Sequence, residues 1–185
     1  MVRLKQEAVG EAVRRLREQQ GLSLRGLASA TDFSPSFISQ LENGLVSPSI
    51  ASMERIVGSL GISLGEFFAS LTSGEGGLVV RSTERVQLPS GWSNATVEAL
   101  SPMLRSSTLE PLVITLDPGG RSGKHPTAPR REECAYVLEG EVELTLGPDT
   151  FRMKQGDSVT ILPGELRRWV NDGSAGVRIL VVAAR

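Results

Sequence analysis

The sequence predicts an α + β protein of two domains: a five-helix bundle at residues 1–70 and an antiparallel β-barrel at residues 78–185, joined by a linker at residues 71–77. Three observations carry this expectation. Apolar residues in the first part recur at the helical period and are announced by capping side chains. Further on, the pattern shortens to strand-length apolar runs bounded by Gly, Pro, Asp or Asn. Between them, Thr72-Ser73-Gly74-Glu75-Gly76-Gly77 has the composition of a flexible connection.

The first helix is set by Val9, Val13 and Leu16, and Gly21 breaks it after about four turns. Ser23 caps the second, whose buried stripe is Leu24, Leu27 and Ala28 and which stops at Thr31-Asp32-Phe33. Ser34 followed by Pro35 is an N-cap with proline at the first helical position, where the missing N–H costs nothing, and the third helix runs from there to Gly44. Ser47-Pro48 repeats that start signal before a fourth helix carrying Ile50, Met53, Ile56, Val57 and Leu60, and Ser63 with Glu66 forms a capping box for a fifth. Strand runs follow at Val79, Val86, Val97, Leu112–Leu116, Ala135–Leu138, Val142–Leu146, Ser158–Ile161 and Val177–Val182. Such regular spacing points to a closed antiparallel barrel or sandwich.

The apolar fraction of 39% suits a water-soluble chain, and the longest apolar runs, such as Ile179 to Ala184, are far too short to span a bilayer. The first twenty residues carry charges instead of an apolar signal core, so the expected location is the cytoplasm and no membrane partner is expected. A single cysteine, Cys134, excludes a disulfide within one chain and fits a reducing compartment, leaving intermolecular pairing or thiol sensing open. The net charge of −1 conceals an asymmetry: Arg3, Lys5, Arg14, Arg15, Arg17 and Arg25 precede the second turn, while Glu139, Glu141, Glu143 and Asp149 gather in the other half. Cations placed early are where a phosphate backbone would lie.

In the third helix Ile38 and Leu41 stand on one face, and Ser36, Ser39, Gln40 and Asn43 on the other. These short or forked hydrogen-bonding groups suit base edges in a major groove, where glutamine contacts adenine bidentately; the alternative is the polar face of a small bundle. The run Leu22 to Ala28, then Ser34-Pro35-Ser36-Phe37-Ile38-Ser39-Gln40-Leu41-Glu42-Asn43-Gly44, then Ser47-Pro48-Ser49, resembles the Xre, or lambda-repressor-like, helix-turn-helix family over residues 7 to 69. The resemblance implies that Arg25 and Asn43 grip phosphates and that Pro35, Ser36, Ser39 and Gln40 face the bases, with Ser34, the cap of the reading helix, also among the DNA-binding residues. The chain departs from the pattern in having Arg25 where many relatives have glutamine, and Gly26 in place of a better helix former, at a cost of about 1 kcal/mol.

Pro118-Gly119-Gly120, His125, Glu133, Tyr136 to Gly140, and then Gly156-Asp157 through Gly164 to Asn171 resemble the two motifs of the cupin family over residues 78 to 185. That resemblance implies a jelly-roll barrel. A metal-binding cupin holds its ion with three histidines and a glutamate; here His125 and Glu133 keep two of those positions, Thr127 replaces the second histidine and Arg167 the third. A chain with one histidine cannot supply a two- or three-histidine site, and Arg167 would repel a dication, so no metal, no other cofactor and no catalytic residue are expected.

Strand alternation puts Glu133, Ala135 and Val137 on one face, and Arg167, Trp169 and Asn171 on one face of their own strand. If these faces line the lumen, His125, Thr127, Glu133, Arg167 and Trp169 converge. Arg167 then either clamps the carboxylate or phosphate of an anionic small molecule, with Trp169 as an apolar wall, or pairs with Glu133 as a structural ion pair. Arg130 and Arg131 are expected to be solvated loop charges, and Tyr136, on the opposite face from Glu133, a packing residue.

The combined expectation is a sequence-specific DNA-binding regulator, a repressor by family analogy, whose cupin domain binds a small-molecule effector or dimerises. Its partners are double-stranded DNA with a palindromic operator, the effector, and a second copy in a homodimer or higher even oligomer. Two other classes are a mononuclear-metal cupin oxidase or epoxidase with a helix-turn-helix domain, and an antitoxin-like interaction module.

Overall fold

The computed structural model of the chain describes residues 2–3, 5–71, 79–90, 93–101 and 108–184. The connection expected at residues 72–77 lies outside them. After a two-residue strand, β1 (Val2–Arg3), come five helices: α1 (Gln6–Gln19), α2 (Leu24–Thr31), α3 (Pro35–Glu42), α4 (Ile50–Ser59) and α5 (Leu64–Leu71). Their termini follow side-chain chemistry. Ser23 Oγ accepts from the Gly26 amide at 3.0 Å and Ser34 Oγ from the Phe37 amide at 3.1 Å, each satisfying a donor with no partner inside its own helix. Ser63 and Glu66 form the expected reciprocal box, Ser63 Oγ accepting from the Glu66 amide and Glu66 Oε2 from the Ser63 amide.

One start signal moves. The cap of α4 is Ser49, whose Oγ accepts from the Ser52 amide at 3.0 Å, and not Ser47-Pro48. Ser47 instead donates its hydroxyl to the Pro89 carbonyl, in the other half of the molecule, at 3.1 Å.

The remaining strands are β2 (Val86–Ser90), β3 (Ala95–Ala99), β4 (Leu109–Leu116), β5 (Glu133–Glu139), β6 (Glu141–Leu146), β7 (Asp149–Lys154), β8 (Ser158–Ile161), β9 (Arg167–Val170) and β10 (Val177–Ala184). They form two sheets, ordered β1-β2-β3-β4-β10-β5-β8 and β7-β6-β9, so of the closed barrel or sandwich expected the described residues show two separate sheets and no closed barrel. Pairing is antiparallel except between β1 and β2, where Val2 is in parallel register with Val86. Gly140, at φ 84°, carries the chain from one sheet into the other; a Cβ there would lie 2.9 Å from the Gly176 carbonyl oxygen.

Val79 belongs to no strand and is exposed. β7 escapes the apolar pattern because five of its six residues are exposed and only Met153 turns inward. On β5, buried Glu133, Ala135 and Val137 alternate with exposed Cys134 and Tyr136, so Tyr136 lies on the solvent side of the strand and not in the core. Among the described residues no helix is long and apolar enough to cross a membrane.

The helical head sits directly on the sheets. The Ala51 amide, near the start of α4, donates to the Ser122 carbonyl at 3.0 Å, and Ser63 Oγ donates to Glu110 Oε1 at 2.6 Å. Gly123 lets the loop approach: a Cβ on it would come within 2.5 Å of the Ala51 Cβ.

Gly10, in the middle of α1, is explained by a similar approach, since a Cβ there would lie 2.4 Å from the Leu41 carbonyl oxygen at the end of α3. Gly10→Ala gains about 1 kcal/mol of helix propensity, yet forces α1 away from α3 and is expected to destabilise the head by about 1–3 kcal/mol net. Urea unfolding checks this; a raised midpoint would contradict the close approach.

Candidate nucleic-acid interface and interdomain site

α3 presents two chemically different sides. Ile38 and Leu41 are fully buried, whereas Ser36, Gln40 and Asn43 are exposed and Ser39 is half-buried. The turn before α3 is held by aromatic packing: the Phe33 and Phe37 rings lie 4.7 Å apart, and the Arg55 guanidinium of α4 sits 4.0 Å above the Phe33 ring. Arg25 is exposed at the start of α2, close to the amide-rich helix end that attracts anions. Ser34 and Pro35 are exposed at the corresponding end of α3.

The C-terminal end of α3 is held by ionic contacts. Glu42, its side chain only 1% exposed, accepts from Arg17 Nε at 2.6 Å and Arg17 Nη2 at 2.9 Å, and Arg14 adds a third contact at 3.3 Å. Arg17 also donates to the Leu22 carbonyl at 2.8 Å. Arg17 is therefore a structural cation inside the head and does not face a phosphate backbone as its position in the basic cluster suggested. Asn43 accepts from Arg14 Nη2 at 3.1 Å and donates to the Ser39 carbonyl at 2.8 Å, so its amide is oriented before any ligand arrives.

The second site lies between the domains. A cavity of about 590 Å³ opens where α4 and α5 meet the loop 126–131 and strands of both sheets. At its floor Arg167 binds two carboxylates. Its Nε and Nη2 reach the two Glu133 oxygens at 2.7 and 3.1 Å, and Nη2 and Nη1 reach those of Glu54 at 3.0 and 3.5 Å. The Arg167 side chain is 3% exposed, Glu133 10% and Glu54 24%. Burial works against the Arg167 charge, but attraction from Glu54 and Glu133 and their hydrogen bonds outweighs it and holds the pKa above the ordinary arginine value. Thr127 lies on the same cation, with Oγ1 3.4 Å from Arg167 Nη1.

Of the five residues expected to converge, Thr127, Glu133 and Arg167 do. His125 is exposed and outside the cavity lining, and Trp169 is fully buried, with no hydrogen-bond partner on its indole N–H. Glu54 and Arg55, which the sequence did not single out, line the cavity, as do Arg130 and Arg131, which were expected to be solvated loop charges and are indeed exposed. Glu54 gave no signal because it looks like an ordinary solvent-facing residue of an amphipathic helix. The donor set does not fit a divalent cation, since the Arg167 guanidinium already occupies both carboxylates. Among the described residues no group of three His, Cys, Asp or Glu is placed to hold a metal.

Residues 13–67 match the helix-turn-helix family and residues 112–183 the cupin domain family. The HTH-type transcriptional regulator PuuR of Escherichia coli (strain K12) is 31% identical over 178 residues, spanning 94% of this chain and 92% of that protein. The chain belongs to the PuuR-like helix-turn-helix transcriptional regulators. The regulator of the same name from Shigella flexneri matches over the same 178 residues at 31% identity. A solved HTH_3 family transcriptional regulator from Vibrio cholerae has the same two-part fold, with a TM-score of 0.77 at 22% identity over 98% of this chain and 97% of that one. This regulator thus joins a DNA-binding helical domain to a cupin domain whose role is effector binding or dimerisation.

Glu42→Ala in this regulator leaves Arg17 with only the exposed Glu18, 3.3 Å from its Nη2, as a carboxylate partner, and a loss of about 2–3 kcal/mol of stability is expected. Thermal and urea unfolding measure it; a loss below about 1 kcal/mol, the size of a surface pair, would show that Arg17 finds water instead.

Proposed function

We propose that this regulator is a cytoplasmic repressor that binds a palindromic operator as a homodimer and answers to a small-molecule effector through its cupin domain. Each copy lays α3 in the major groove, with Ser36, Ser39 and Gln40 toward base edges and Pro35 close against them. Arg25 and Asn43 contact the phosphates on either side, helped by the amide-rich starts of α2 and α3. Two-fold symmetry then sets half-sites about 34 Å apart, one helical turn.

The observation that carries this reading is the exposed face of α3, which offers hydroxyl and amide groups and no Lys–Glu lattice of the kind that covers a merely solvated helix. A non-enzymatic role is supported by the cupin metal positions, where a guanidinium and a hydroxyl stand in place of imidazoles. Repression, in preference to activation, rests on the likeness of architecture.

Selection of bound duplexes from a random library is expected to return a palindrome. Gln40→Ala should relax preference at one base pair per half-site, by about 1–3 kcal/mol of discrimination. Arg25→Ala should weaken all sequences alike and reduce the salt slope by about 1. Uniform weakening by Gln40→Ala, with no relaxed position, would remove Gln40 from base reading.

A further inference from the structure

We propose that the cavity between the head and the cupin domain is a binding site for a small polyanion bearing carboxylate or phosphate groups, and that this ligand takes the place of Glu54 on Arg167 and releases the head. The proposal rests on the effector-responsive reading above and specifies where the effector binds, what its chemistry is and what it moves.

The charges in the cavity are unequally satisfied. The carboxylates along its wall are engaged: Glu133 and Glu54 on Arg167, Glu66 with the Ser63 amide, and Glu110 with the Ser63 hydroxyl. Among the described residues Arg55, Arg130 and Arg131 make no ion pair. Arg130 and Arg131 line this cavity of about 590 Å³ without carboxylate partners, while Arg55 spends its guanidinium on the Phe33 ring, and two guanidinium forks beside Arg167 are suited to take a carboxylate or phosphate bidentately. The volume suits a metabolite and not a simple ion.

The Arg167 cluster supplies the exchange. One cation shared by two carboxylates leaves a net negative charge in a largely buried place, so one of the two is held less firmly than a simple pair would be. Glu54 is that one: it is more exposed than Glu133, its contacts are longer, and it comes from the other domain. An entering anion that bonds Arg167 Nη1 and Nη2 and reaches Arg130, whose Nε lies 3.4 Å from where a Gly58 Cβ would stand on α4, replaces Glu54 with a better-neutralised partner. The reading helix is one residue away in this chain of contacts. Arg55 follows Glu54 on α4 and rests on Phe33 in the turn before α3. Displacing Glu54 therefore bears on the placement of α3 as well as on the docking of the head.

The test uses the full chain without DNA, at ionic strength matched with sodium chloride, with citrate and pyrophosphate as probes and the ethylenediamine dication as counter-probe. Calorimetry is expected to show saturable binding of at least one anion at one site per chain, weakened about tenfold or more in the Arg130→Ala/Arg131→Ala double variant. Hydrogen exchange at the Ala51 amide, which bonds across the boundary to Ser122, is the second readout. It should accelerate on anion binding while α1 amides stay protected, and should already be fast in Glu54→Gln, which should bind the anion more tightly than wild type. Saturable binding by neither anion, binding of the dication instead, or anion binding without faster Ala51 exchange in the wild-type chain would each overturn the proposal. The double variant changes only exposed side chains, so the test stands even if Glu54→Gln folds poorly. Loss of anion binding with operator selection intact would remove this switch and leave the DNA-reading role standing.

Discussion

The buried guanidinium of Arg167 is the charge around which this molecule is arranged. Its strand, β9, belongs to the smaller sheet, Glu133 to β5 in the larger one, and Glu54 to α4 in the helical head. Thr127, on the loop that bridges to β9, completes the ring. Removing a cation from water costs several kcal/mol, and only close, well-oriented carboxylates offset it. Both sheets and the head must therefore be in place together for the charge to be tolerated. The cluster makes the position of the head conditional on the condition of the cupin core.

At the opposite end of the head, a second buried pair performs a purely structural task. Arg17 and Glu42 fasten α1 to the end of α3, while the Ser34 cap and the Arg55–Phe33 contact fix its beginning. A reading helix of eight residues cannot hold its own shape in water and takes its rigidity from such fastenings. Preorganisation of this kind favours binding, since fewer side-chain and loop motions remain to be lost when DNA arrives.

Most of the fold was legible in the residues because capping, helical period and strand alternation are local signals. Ser23, Ser34 and the Ser63–Glu66 box stand where the sequence places them, and the helix-turn-helix and cupin resemblances cover the two parts that the comparisons match. What escaped was long-range. Gly10 and Gly123 are needed by backbone that arrives from distant segments, β7 is an exposed edge strand with no apolar period, and Ser49 caps α4 because Ser47 bonds to Pro89 across the domain boundary. The candidate site was half legible. Glu133 and Arg167 were placed together by the two faces of alternating strands and Thr127 by the cupin resemblance. Glu54 and Arg55 meet them only through the docking of the head, and Arg130 and Arg131, on the loop before β5, carry no periodic signal that places them on the cavity. A basic residue near the N-terminus also carries no mark that separates Arg17, a buried partner of Glu42, from exposed Arg25.

The parallel pairing of β1 with β2 has a mechanical consequence. Because Val2 lies beside Val86, the chain leaves the larger sheet for the helical head and returns to the neighbouring strand, so the head is an excursion with both ends secured at one base. A body held this way, once undocked, would stay close to that base. Its effective concentration over its own docking surface stays in the range of about millimolar, as for partners joined by a short connection. Rejoining is then fast and independent of protein concentration. In the exchange proposed at Arg167, a small bias at that surface would then suffice to decide between a docked and a released head.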